Sequence, residues 1–112
     1  MKKFIVLYHS PQTALDKMED ASPEEMKKGM EPWMEWAKKC GDKLLDMGAP
    51  LGNGQKIKKD GSSTSDSDVN GFSILQAKDM DEAVSLLQGH PHLDWAHGCS
   101  IEVFEELPMP GM

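Results

Sequence analysis

Two helix starts are written into this chain, and they divide everything else. Ser22-Pro23-Glu24-Glu25 supplies a serine to cap, a proline at the first helical position and a glutamate at the third, which together satisfy backbone N–H groups that an uncapped helix leaves bare. Asp79, with Glu82 three residues on, repeats the device. The segments outside the helices read as strands. Phe4 to Tyr8 is aromatic and β-branched up to Ser10-Pro11, Gly71 to Ala77 reads as a strand with Phe72, Ile74 or Leu75, and Ala77 available to the core, and Ser100 to Glu106 sets Ile101 and Val103 on one face against Glu102, Phe104 and Glu106 on the other. Gln55 to Lys59 is a thinner candidate, lysine-rich around Ile57 as an edge strand is. The order is strand, helix, strand, strand, helix, strand. It predicts an α+β protein of ferredoxin-like βαββαβ architecture, an antiparallel four-stranded sheet with two helices on one face. Helices on one face leave the other bare, so a homodimer is the expected state.

Within the first helix, Met26, Met30, Trp33, Ala37, Cys40, Leu44 and Met47 fall at alternating spacings of four and three, one apolar stripe that predicts a helix running to Gly48. Met34 and Trp36 flank it, and Pro32 predicts a kink. Asp60 to Asp68 is small and polar throughout and reads as a mobile loop. The second helix is expected to turn Met80, Ala83, Val84 and Leu87 inward and to end at Gly89.

With 112 residues there is room for one domain, residues 1–112, and one core. Nineteen acidic residues against twelve lysines leave a charge of −7, which repels phosphate backbones and anionic bilayers, so neither nucleic acid nor membrane is an expected partner. All twelve basic residues are lysine, so no arginine fork is present to hold an anion. Cys40 and Cys99 stand 59 residues apart without a close-spaced partner, and the apolar run at the N-terminus stops after five residues, too short for export or for a membrane span. A reduced cytoplasm is the expected location. Gly52-Asn53-Gly54 follows a helix instead of opening one and reads as a turn, and Lys56, Lys58 and Lys59 read as solvated edge residues. No cofactor is assigned.

The dense polar cluster is Gly89-His90-Pro91-His92-Leu93-Asp94-Trp95-Ala96-His97-Gly98-Cys99, in the loop before the last strand. In the expected fold the ends of the first and third strands and the starts of the second and fourth share an edge, which brings this loop to Tyr8-His9 and lets all four histidines meet. Imidazole donates, accepts or ligates near neutral pH. A transition-metal site is weakened by the loop spacing and by the lack of a second ligand pair on a supporting element, and none is assigned. Acid–base chemistry or small-molecule binding would use His90 or His92 beside Glu31, Glu35 or Asp94, with Trp33, Trp36 or Trp95 as walls. The competing reading makes the histidines caps and backbone ties with no ligand.

The opening K-K-F-I-V-L-Y-H, the stretches S-P-E-E-M-K-K-G-M-E-P-W-M-E-W, G-D-K-L-L-D-M-G-A-P-L and N-G-F-S-I-L-Q-A-K-D-M-D-E-A-V, and the ending H-P-H-L-D-W-A-H-G-C-S-I-E-V-F-E-E-L-P-M-P-G-M together resemble the YCII-related, or DGPF-domain, family. The resemblance implies a dimeric α/β-barrel made by two sheets face to face. It also implies a pair formed by a histidine on the first helix and an aspartate before a proline after the second. Here His90-Pro91 stands at the Asp-Pro position, the first helix has no histidine between Met26 and Cys40, and Ser65-Asp66-Ser67-Asp68 replaces D-G-P-F. A rearranged pair of Glu31 with His90 is the corresponding expectation. The resulting site has His90, His92 and Glu31 as catalytic candidates and Tyr8, His9, Trp33, Trp36, Asp94 and His97 as ligand-binding ones. The alternative function is a non-catalytic dimerisation or partner-binding module.

Overall fold

A computed structural model describes residues 1–11 and 21–111; Met112, the last residue of the closing motif, lies outside them. The elements are β1 (Lys2–His9), α1 (Pro23–Cys40), β2 (Leu44–Asp46), β3 (Gln55–Lys58), β4 (Gly61–Thr64), β5 (Val69–Ala77), α2 (Met80–Leu87), α3 (Pro91–Trp95) and β6 (Ser100–Glu105). Four of the strands form one antiparallel sheet in the order β2-β5-β1-β6. With α1 and α2 as the two long connections, this is the ferredoxin-like α+β arrangement. No helix among the described residues is long and apolar enough to cross a membrane.

Alternation along the strands creates the core. Phe4, Val6 and Tyr8 of β1 and Ser73, Leu75 and Ala77 of β5 are buried on the helix side, where Trp36 and Cys40 of α1 and Ala83 and Leu87 of α2 meet them. Both caps form as expected: Ser22 Oγ accepts from Glu25 N–H at 3.2 Å and Asp79 Oδ1 accepts from Glu82 N–H at 2.9 Å. The opposite sheet face sets Ile5, Leu7, Phe72, Ile74 and Phe104 side by side, since Ile5 pairs with both Ile74 and Phe104 and Leu7 pairs with Phe72; Phe72, expected in the core, lies on this face because strand alternation cannot put it on one side with Ala77. The described molecule is correspondingly flat, 46 × 45 × 20 Å.

Four expectations are corrected. The first helix stops at Cys40, not Met47: Gly41, at φ 58°, sends its N–H back to the Ala37 carbonyl, and a short 3₁₀ turn over Gly41–Lys43 leads into β2. Leu44 then pairs with Leu75 at the edge of β5, where a strand satisfies β5 backbone groups that one more helical turn would leave unpaired. Second, Gln55–Lys58 is not the missing strand of the sheet. It pairs with Gly61–Thr64, inside the segment read as a loop, as a separate hairpin. Third, the inward line of α1 runs through Trp33, Trp36 and Cys40, so Trp36 is buried while Met26 is 47% exposed; in α2, Val84 is likewise exposed. Fourth, the start of β5, not its end, lies beside His9, because β5 runs antiparallel to β1. α1 continues through Pro32 as one helix.

Gly48 holds the crossing from β2 to the following segment. Its φ is 80°, and a Cβ there would lie 1.7 Å from the Phe72 carbonyl oxygen. Gly48→Ala is therefore expected to cost on the order of 3 kcal/mol, combining left-handed backbone strain with a clash that only main-chain movement relieves. Gly41→Ala, where a Cβ meets nothing within 4 Å, should cost clearly less. Urea denaturation of the two variants checks the ranking, and equal losses would contradict it.

Candidate functional site

The end of β1 delivers Tyr8 to the helix side of the sheet. Gly71 opposite it has no side chain, which lets the Tyr8 ring approach to 3.3 Å of where a Cβ would stand. The Tyr8 hydroxyl lies 2.7 Å from Ser73 Oγ and 3.3 Å from His90 Nε2. His90 sits at the N-cap of α3, where its Nδ1 accepts the His92 backbone N–H at 3.0 Å. That bond decides the chemistry of the chain. With Nδ1 accepting, Nε2 carries the proton and donates to Tyr8, Tyr8 donates to Ser73, and Ser73 donates to the Met47 carbonyl at 2.7 Å. The relay therefore ends on a backbone oxygen.

Aromatic rings enclose His90. The Trp36 ring centroid is 4.4 Å away and that of Trp33 4.5 Å, both edge-to-face, and the tilted Tyr8 ring is 5.1 Å away. His90 has no exposed surface. Burial, with His92 beside it contributing less, pushes His90 down to about 4, and burial pushes Tyr8 up to about 12 against the opposing Ser73 hydrogen bond. His92 is also buried, and its Nε2 is 2.9 Å from the His9 carbonyl. Desolvation lowers His92, with the carbonyls of His9 and Ser100 opposing.

His9 points to the other face of the sheet. Its Nδ1 bonds Asp68, which that bond holds below the ordinary carboxylate range. Glu102 Oε1 lies 2.7 Å from Nε2, off the line of the N–H, so it makes an electrostatic contact without a formed hydrogen bond. The two carboxylates flank opposite edges of one imidazole. Among the described residues no three His, Cys, Asp or Glu side chains converge as metal ligands.

The structure thus brings together Tyr8, Trp33, Trp36, His90 and His92, and sets His9 behind them through its carbonyl. Glu31 is exposed and stands about 200° around the helix from Trp33, on the far side of α1 from His90. Asp94 and His97 are exposed, with Asp94 at the rim of a groove between α1 and α3. That groove encloses about 700 Å³, with Trp33, Trp36 and Trp95 as its aromatic walls and Glu35, Lys39 and Asp94 as its charges. Sequence reasoning missed Ser73. The available signal was its position: alternation puts it on the same side as Leu75 and Ala77, and a hydroxyl at a core position needs a partner. It also left α3 as loop, although Pro91 stands at a first helical position after a side chain able to cap.

Because His90 binds protons more weakly folded than unfolded, its contribution to stability is complete above the ordinary histidine value and is lost as pH falls toward about 4. Acidification from pH 6.5 to 4 should remove on the order of 2 kcal/mol through this residue. His90→Gln, which keeps a donor and an acceptor but cannot ionise, should flatten most of that slope in urea melts taken across the range. An undiminished slope in the variant would contradict the assignment.

No protein-family model matches the chain, and no curated protein matches it. Among solved structures it is similar to 5-chloro-2-hydroxyhydroquinone dehydrochlorinase from Burkholderia phenoliruptrix AC1100 in complex with 2,5-dihydroxybenzoquinone, at 16% identity and a TM-score of 0.48, covering 91% of each chain. The ferredoxin-like fold stated above stands on this chain's own strand order.

Proposed function

We propose that this protein binds a small organic molecule in the α1–α3 groove, with tryptophan as the principal contact surface. The observation that carries the reading is the convergence of Trp33, Trp36 and Trp95 on one open groove that also holds Glu35, Lys39 and Asp94: an apolar aromatic surface with a few charges at its rim is the usual make-up of a ligand site. The volume, about 700 Å³, lies in the ordinary range for such sites. His90 and His92 support the groove from behind and do not line it. Binding without acid–base chemistry at these histidines is the function proposed. The sequence resemblance to the YCII-related family is in keeping with the βαββαβ arrangement, and a reducing cytoplasm suits Cys40 and Cys99, both free thiols.

A second reading is favoured by a separate observation. The bare sheet face carries Ile5, Leu7, Phe72, Ile74 and Phe104 together, with Phe104 49% exposed, and an apolar surface of this kind is best covered by a second copy. On this reading the protein is a homodimer, sheet face to sheet face.

Two measurements test these readings. In a thermal-shift screen with one- and two-ring aromatic compounds, hits should raise the melting temperature of the wild type and quench its tryptophan fluorescence, and Trp95→Ala should abolish both effects. Hits that stabilise Trp95→Ala equally, or the absence of any hit, would count against the groove. For the sheet face, Phe104→Glu should convert a dimer to a monomer in sedimentation velocity, and an unchanged sedimentation coefficient would refute that face as the interface.

A further inference from the structure

The groove between α1 and α3 has spent most of the donors that would hold an anion. Pro91 opens α3 without an N–H, and the next two N–H groups are used inside the protein, that of His92 on His90 Nδ1 and that of Leu93 on the His90 carbonyl, both at 3.0 Å. The turn before α3 is equally closed, since Gln88 N–H donates to the Ser85 carbonyl and His90 N–H to the Leu87 carbonyl. Trp36 Nε1–H is taken by the Leu86 carbonyl. The chain has no arginine, and among the described residues Lys39 is the one cationic side chain on the groove.

The same walls suit positive charge. Glu35 and Asp94 both line the groove and are exposed, and among the described residues neither enters an ion pair. The end of α2 opens on it too, through the C-cap Gln88 and Gly89, and the last turn of that helix carries no basic residue. The partial negative charge of the helix C-terminus is therefore not offset by the helix's own side chains. Indole is the aromatic ring that attracts cations most strongly. Trp33 and Trp36 meet at 81° with centroids 6.3 Å apart, a corner and not a stack, and Trp95 lines the groove with them. Two carboxylates and a helix C-terminus against one lysine, in a chain of −7, leave the groove negative.

We propose that the groove selects organic cations, specifically a ligand with a methylated ammonium head, held against the tryptophans with Glu35 and Asp94 as its counter-charges. The proposal rests on the groove-binding reading and adds to it the sign of the ligand's charge and the groups that read it. A methylated ammonium spreads its charge over an apolar surface, so it buries against indole at a smaller cost in hydration than a compact ion, and it needs no donor from the protein.

A matched set of probes forms the test, read by tryptophan fluorescence and thermal shift. Choline and benzyltrimethylammonium carry the positive charge, tert-butylethanol has the shape of choline with carbon in place of nitrogen, and pivalate carries the opposite charge. The two cations should bind roughly tenfold or more tightly than tert-butylethanol, pivalate should bind most weakly, and raised salt should narrow the difference. Glu35→Gln/Asp94→Asn, its fold verified by circular dichroism, should weaken both cations roughly tenfold and leave the alcohol unchanged, whereas Lys39→Gln should tighten them. The proposal is overturned if the alcohol or pivalate binds as tightly as the cations, if neither cation binds, or if the double variant keeps the wild-type affinity for them. Uncharged aromatic compounds that stabilise the wild type through Trp95 while the cations do not would sink the charge preference and spare the groove; a groove that takes neither kind would sink both.

Discussion

The arrangement at the histidine end of the molecule depends on one bond, from the His92 backbone N–H to Nδ1 of His90. It starts α3 and, by occupying Nδ1, forces the proton onto Nε2. Only that tautomer can donate to Tyr8, and only then can Tyr8 donate onward to Ser73 and Ser73 to the Met47 carbonyl. One ring therefore links α3, β1, β5 and the segment after β2, while Trp33 and Trp36 hold it from α1. A charged imidazole would have two N–H groups and no acceptor for His92, so the arrangement requires His90 to stay neutral.

The cost of burying so many polar atoms explains the division of labour around the groove. Buried polar groups are tolerated when each has a partner, and an incomplete network is worse than an apolar core. Here the histidines and Tyr8 spend their hydrogen-bonding capacity inside the protein and leave little for a ligand. Trp36 does the same through its Nε1–H, which donates to the Leu86 carbonyl at 2.8 Å. What reaches the groove is tryptophan surface together with Glu35, Lys39 and Asp94. The histidine cluster packs behind this wall.

The fold was legible where local chemistry decides alone. Ser22 and Asp79 cap because their side chains reach N–H groups three residues on, and β6 shows its two faces by alternation; β5 did not, since Phe72 and Ala77, both read as core, fall on opposite sides. Legibility failed after Cys40, where Leu44 and Met47 keep the helical spacing of the preceding residues yet Leu44–Asp46 becomes an edge strand, because the bare edge of β5 outweighs one more helical turn. It failed again at Gly61 to Thr64, whose pairing with β3 needs backbone groups and no apolar side chain. In the site, the meeting of Tyr8 with His90 and His92 followed from element order. The distance between Glu31 and His90 could not follow from it, since that depends on which way α1 is rolled.

The amino-acid sequence by itself determined the βαββαβ order, the capped helix starts and a surplus of negative charge without arginine, all of them set by interactions within a few residues or by composition. Tertiary structure alone decided that α1 rolls Trp36 inward, that His90 and His92 face protein instead of solvent, and that Gln55–Lys58 pairs in a ribbon of its own apart from the main sheet. The physical reason is shared: burial, tautomer and charge juxtaposition are properties of what surrounds a side chain, and those neighbours come from distant parts of the chain.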